Sequence, residues 1–216
     1  MRISHKHKFV FIAVPKTGTT SIREALTPFS DVCGVFDQNW SSPLRYHVPA
    51  TELRVYFEER GWDWDSYFKF GFVRNPWDWM VSRWHFFKRV ASCTNLEEDW
   101  QLEEGMTLQE KRWLQDVMRT VIYNNPTFRE FIDSNTELQS DKLTDGESVL
   151  VDFVGKFENL QEDFDHVCGR IKIPKQVLPV RNRTEHLAYR HYYDDGSVRI
   201  MRERFGNDIE RFGYEF

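Results

Sequence analysis

The chain has 216 residues, with 29 Lys and Arg against 34 Asp and Glu, for a formal net charge of -5. A hydrophobic content of 40%, with 16% aromatic residues, is enough to build a full core and excludes a disordered or low-complexity chain. The acidic balance argues against a generic nucleic-acid binder, which carries a basic surplus, but leaves room for one basic pocket holding a small anion.

The length fits one domain. Cys33, Cys93 and Cys168 are odd in number and far apart, with no CxxC pair, so the sequence offers no disulfide framework or cysteine-rich zinc site. The His5-Lys6-His7 pair sits at a terminus read as mobile and is not a metal site. No apolar stretch approaches the roughly 20 residues of a spanning helix. The apolar run Phe9 to Val14 ends in Pro15-Lys16 rather than a small-residue cleavage site, so it reads as a buried strand, not a signal core. The expectation is a soluble, cytoplasmic protein without membrane or nucleic-acid partners.

In chain order, three short apolar runs read as strands buried on both faces: Lys8 to Val14, Phe68 to Val73 and Ser148 to Val154. A helical pattern follows each, at Thr20 to Leu26, Pro76 to Arg89 and Leu160 to Ile171. This alternation predicts an α/β fold, a P-loop-like domain with a central parallel β-sheet flanked by helices. Asn75 is a good N-cap with Pro76 in the first helical position, and Trp77, Val81 and Trp84 form a stripe that suits the sheet. A helical insert occupies about residues 91–146, with Leu108 to Ile122 at helical spacing, a break at Asn124-Asn125-Pro126, and a shorter helix carrying Phe128, Phe131 and Ile132. The aromatic tail from Leu187 to Phe216 reads as mostly helical and packed on the domain.

The segment Pro15-Lys16-Thr17-Gly18-Thr19-Thr20-Ser21 lies between a buried strand and a helix. Backbone N–H groups of such a turn converge on one point, and the helix N-terminus adds positive potential. Gly18 permits close backbone approach, the hydroxyls of Thr17, Thr19, Thr20 and Ser21 add donors, and Lys16 adds a full charge, which together suit a phosphate-like group. The pattern departs from GxxxxGK[ST]: the Lys precedes the Gly, and the first Gly is missing. A second segment, Phe72 to Ser82, places Arg74 at a strand end and Ser82 in the following helix. Ligands bind at the carboxyl ends of parallel strands, so Arg74 is expected on the same sheet edge as Lys16. A guanidinium fork and a hydroxyl suit a second phosphate, pointing to a ligand with two separated phosphate groups.

The pair PKTGTTS after a first strand and R-x-x-x-x-x-x-x-S after a later one resembles the sulfotransferases that use 3′-phosphoadenosine-5′-phosphosulfate (PAPS). The resemblance implies that the first motif cradles the 5′-phosphosulfate and that Arg74 and Ser82 hold the 3′-phosphate. Gly155-Lys-Phe-Glu-Asn-Leu160 is similar to the family's strand end whose aromatic, here Phe157, lies near the adenine. The ending Asp208 to Phe216 is similar to the carbohydrate-type, Golgi-like branch and its bacterial relatives. The likeness spans most of the chain and is weak across about residues 91–146.

By the same resemblance, Lys16 is the cation that stabilises charge on the leaving phosphate; PAPS is the donor, adenosine 3′,5′-bisphosphate the product, and no metal is expected. The acceptor must lose a proton to a His, Glu or Asp. His47, in Arg45-Tyr-His-Val-Pro-Ala-Thr-Glu-Leu53, lies between the two motifs in a pattern that resembles the acceptor-side His of this branch; His85, His186, His191 and Glu52 are competitors. Arg181 opens a basic loop, Arg181 to His186, which in the family closes over the nucleotide. The tryptophans at 62, 64, 77, 79 and 84 suit either the core or a glycan-stacking cleft. The expected acceptor is a carbohydrate or small metabolite, with its pocket built from Trp40 to Asp65 and Asn95 to Asn135. Two further readings stay open: a small P-loop kinase using Mg-ATP, and a non-catalytic nucleotide-binding protein of the same fold.

Overall fold

The structure, a computed structural model, describes residues 1–39, 41–97, 106–181 and 186–216. Trp40, part of the acceptor-pocket stretch, residues 98–105 of the insert and residues 182–185 of the basic loop lie outside the described residues. The chain divides into two compact units, Met1–Arg74 with Leu138–Arg181, and Asn75–Glu137 with Asn182–Phe216.

The first unit is built on a five-stranded sheet in the order β3-β1-β2-β4-β5. Its strands are β1 (Arg2–Ser4), β2 (Phe9–Ile12), β3 (Val32–Cys33), β4 (Phe68–Val73) and β5 (Phe153–Lys156). β2, β4 and β5 are parallel, with Phe11 opposite Phe70 and Phe72 opposite Gly155. β1 runs antiparallel to both β2 and β3, so the sheet is mixed, with a parallel centre. The first residues are therefore an ordered strand rather than a mobile terminus: Met1 and Ile3 are fully buried, and a turn at Lys8 returns the chain along β2.

The third predicted strand begins later than its apolar run. Residues 144–150 close a tight loop in which Leu150 N–H donates to the Leu143 carbonyl. The Asp152 carboxylate then takes the Lys69 N–H at 2.7 Å and the Lys69 ammonium at 3.0 Å, so regular pairing starts at Phe153.

Alternation along the strands sends Phe9, Phe11, Phe70 and Phe72 to one face, where they meet Ile22 and Leu26 of α1 (Thr19–Leu26) and Phe164, Val167 and Cys168 of α6 (Leu160–Arg170). The Phe11 and Phe70 rings stack at 5.3 Å between centroids. The intervening residues face the other way. There the Lys69 ammonium sits 5.8 Å from the Trp64 ring centre, and Trp64 meets Phe57 of α2 (Ala50–Glu59) edge-on. Gly71 must be glycine, because a Cβ would come within 2.5 Å of the buried Leu143 side chain and 3.1 Å of the Ile12 carbonyl oxygen.

The second unit is helical. α3 (Pro76–Ser92) starts as its sequence dictates, with the Asn75 side chain accepting the N–H groups of Trp77 and Asp78. α4 (Leu108–Asn124) and α5 (Phe128–Ser134) each begin with a capping box, Thr107 with Glu110 and Thr127 with Glu130. α3 and α4 pack through Val90 and Met118, while Trp84 meets Phe128 and Phe131 of α5. α7 (Asp195–Arg211) brings Phe205 against Trp79. Trp64, Trp77, Trp79 and Trp84 are buried, which makes them core residues rather than a stacking cleft.

Candidate functional site

β2 ends at Ile12, and the chain turns over Pro15 to Gly18 before entering α1 at Thr19. Two residues of this turn take left-handed backbone, Lys16 at φ +65° and Gly18 at φ +77°. Left-handed geometry is free to Gly but costs a side-chain-bearing residue about 1–2 kcal/mol, and such strain concentrates at binding sites. Alternating left-handed geometry turns successive N–H groups toward one concavity, at the positive end of α1. Gly18 is the α1 N-cap, its carbonyl accepting the Ile22 N–H at 3.2 Å.

One loop hydroxyl, that of Thr17, differs in use from the sequence expectation. Thr17 is fully buried, and its hydroxyl donates to the Val14 carbonyl at 2.9 Å, which commits that proton to the turn rather than to a ligand. Thr19 and Ser21 are buried in the first turn of α1, and Thr20 is half-buried.

The parallel pairing of β2, β4 and β5 brings their carboxyl ends to one edge. Lys16 follows β2, Arg74 follows β4 and Phe157 follows β5. Arg74, 9% exposed, lays its guanidinium 4.1 Å above the Phe157 ring centre and donates from Nη1 to the Lys16 carbonyl at 3.3 Å. Phe157 and Leu160 also line the back of Gly18. The Arg74 guanidinium, the Phe157 ring and the Lys16 main chain, all singled out in the sequence, thus meet at one point.

His47 is tied to the same edge. Its Nδ1 lies 2.8 Å from the carbonyl oxygen of Ala13, just upstream of Lys16. The carbonyl can only accept, so Nδ1 carries a proton there, and Nε2 is the nitrogen that bears the lone pair when the ring is neutral. The loop bearing His47 is held by Tyr46 N–H to the Val35 carbonyl at 3.0 Å. Arg23 of α1 stacks its guanidinium 4.2 Å over the Tyr46 ring, and Arg45 pairs with Glu52 at 2.5 Å. Glu52 is therefore engaged as a counter-ion rather than set as a base.

Arg181 forms a two-point fork with Glu24 of α1, both contacts at 2.8 Å, which holds the Glu24 carboxyl below the usual carboxylate range. Ser82 is buried on α3 in the second unit. There His85 meets the Tyr192 hydroxyl at 2.9 Å and stacks on His186. Gln139, fully buried, hydrogen-bonds the main chain of Arg74, and no motif singles it out. Among the described residues no group of three or more His, Cys, Asp or Glu is placed to hold a metal ion, and no helix is long and apolar enough to cross a membrane.

A family model described as the sulfotransferase family matches residues 1–215. An uncharacterized protein of Archaeoglobus fulgidus is 32% identical over 120 residues, 56% of this chain and 79% of that protein. No solved structure matches the chain. With a family match running through both sheet and helical units, the chain belongs to the sulfotransferase family.

Proposed function

We propose that the protein moves a sulfuryl group from PAPS to a hydroxyl or amine of a carbohydrate or small-metabolite acceptor, and that residues 1–216 act as one sulfotransferase-like domain. The observation that carries this reading is the convergence of Lys16, Arg74 and Phe157 at the ends of three adjacent parallel strands. Their chemistry fits the donor: an N–H-rich left-handed turn with an ammonium suits one phosphate, a planar guanidinium suits a second, and an aromatic face suits a purine.

When bound, the donor supplies the sulfuryl group and a phosphate oxygen that takes up charge as the sulfuryl group leaves. The first-turn N–H groups of α1 are fixed before reaction, and the Lys16 side chain adds a full positive charge beside them, so together they stabilise that charge. Arg74 recognises the 3′-phosphate, while Thr17 to Ser21 shape the 5′ cradle. Arg181 reaches a nucleotide by exchanging its Glu24 partner. His47, with its proton fixed on Nδ1 by Ala13, accepts the acceptor's proton at Nε2.

Calorimetric titration without metal tests the reading. Binding of adenosine 3′,5′-bisphosphate well above that of Mg-ATP is the expected result. Preference for Mg-ATP would replace it with a kinase, and binding of neither with a non-catalytic role.

A further inference from the structure

The ladder from β4 to β5 ends at the pair Val73 and Lys156, and that from β4 to β2 ends at Gly71 and Ile12. Arg74 is the next residue, buried but past the end of both ladders. A buried N–H or carbonyl without a partner costs about 1–3 kcal/mol, so both main-chain groups of Arg74 need one. Gln139 provides both: its Oε1 accepts the Arg74 N–H at 2.8 Å, and its Nε2 donates to the Arg74 carbonyl at 2.8 Å. A side-chain amide carries an acceptor and a donor in one plane, as a peptide group does, and here it stands in for the missing strand.

Gln139 is itself held firmly. It is fully buried, out of reach of exchange with water, and opens a short 3-10 turn, Ser140–Lys142. The Leu138 N–H donates to Asp141 Oδ2 at 2.8 Å, the Thr144 hydroxyl donates to the Ser140 carbonyl at 3.0 Å, and Leu143 packs on Gly71. The segment is fastened to β4 at both ends.

Fixing N, Cα and C of Arg74 fixes the direction of its Cα–Cβ bond, and hence the place its guanidinium reaches over Phe157 and at the Lys16 carbonyl. We infer that Gln139 is a positioning residue for nucleotide recognition: by clamping the Arg74 main chain from both sides, it aims the guanidinium at the 3′-phosphate. This role rests on the proposed reading of Arg74. Gln139 touches the strand end, not the nucleotide. Glu could accept but, ionised, could not donate; Asn is too short to span both groups.

The test is calorimetric titration of the wild-type chain, Gln139→Leu and Gln139→Glu with adenosine 3′,5′-bisphosphate and, separately, adenosine 5′-monophosphate. The wild-type chain should prefer the bisphosphate; no preference would overturn the nucleotide reading and this role with it. Given that preference, Gln139→Leu should reduce it about tenfold, with affinity for the monophosphate nearly unchanged. Gln139→Glu should lose the preference at about pH 8.5 and regain it at about pH 5.5, relative to wild type at each pH, because a protonated carboxyl again both accepts and donates. A general loss of folding would weaken both nucleotides alike. Wild-type preference in both folded variants overturns the inference, and so does failure of both to fold, which would make Gln139 purely structural. If only Gln139→Leu fails to fold, the pH response of Gln139→Glu decides.

Discussion

The side chain of Arg74 and the main chain of Lys16 are joined by a hydrogen bond, Nη1 to carbonyl oxygen at 3.3 Å, at the point where Lys16 takes left-handed backbone. One cation of the site thus braces the strained peptide that carries the other. Removing Arg74 should therefore harm more than phosphate affinity. Arg74→Ala is expected to weaken bisphosphate binding at least about tenfold, by loss of a charge-assisted fork, and also to lower kcat by releasing the Lys16 turn. Arg74→Lys keeps the charge but loses the planar stack on Phe157 and should fall between. Titration and steady-state kinetics together decide it: weakened binding with an unchanged kcat in Arg74→Ala would show that the brace has no catalytic consequence.

Lys16 follows a fully buried strand end but is itself only half-buried, so its side chain can be shortened without opening the core. Lys16→Ala should leave the melting temperature close to wild type and lower turnover by about 100- to 1000-fold, the usual effect of deleting one preorganised group at a developing charge. Wild-type-like turnover in the folded variant would remove Lys16 from the chemistry.

For His47 the structure fixes which nitrogen is basic. With Nδ1–H given to the Ala13 carbonyl, proton acceptance falls to Nε2. His47→Ala is expected to lower kcat by about 100- to 10,000-fold while bisphosphate affinity stays near wild type. A base works only when unprotonated, so the wild-type rate should decline toward acid, and that limb should vanish in the variant. A pH–rate profile of unchanged shape would place the base elsewhere.

The parts of this molecule legible in its sequence are those where one residue's chemistry carries the signal alone. β4 is a short apolar run interrupted by a single charge, Lys69, and it appears where Phe68 to Val73 foretell it. Asn75-Pro76 announces α3, and Lys16, Arg74, Phe157 and His47 each stand out by motif. β1 and β3 do not stand out, being too short for a periodic pattern and existing only because β2 pairs with one and that one with the other. β5 was displaced because an apolar run says nothing of Asp152, whose carboxylate takes the place of a strand partner for Lys69. Gln139 was invisible for the same reason. Its role comes from lying beside Arg74 in space, 65 residues away along the chain.

Gly18 joins loop geometry to core packing. Its φ of +77° disfavours any side chain, and an added Cβ would come within 2.7 Å of Leu160 Cδ2 at the start of α6. Gly18→Ala should destabilise the fold by about 1–3 kcal/mol and weaken bisphosphate binding by shifting the turn. Leu160→Ala removes the clash but not the backbone strain, so the double variant should recover part of the loss from Gly18→Ala. A denaturant-melting double-mutant cycle measures the coupling. Wild-type stability in Gly18→Ala would show that the turn adapts freely.

In the second unit, His85 of α3 points Nε2 at the Tyr192 hydroxyl at 2.9 Å and stacks on His186 with ring centres 5.2 Å apart. Burial, followed by the neighbouring His186 and Lys88, pushes the His85 imidazole below its ordinary value of 6.5. The unfolded chain therefore binds this proton more readily than the folded one. The stability that His85 contributes is complete above pH 6.5 and is lost as pH falls through the depressed folded value. Carboxylates of the same unit held low by hydrogen bonds, Asp194 by Ser197 and Glu130 by Thr127, titrate below that window and do not confound it. The wild-type melting temperature should drop between about pH 7 and pH 5, and His85→Gln, which keeps a polar group beside Tyr192 but cannot take up a proton, should flatten that segment of the curve. Calorimetric melting of both proteins across the series checks it; parallel curves would assign the acid sensitivity to other groups.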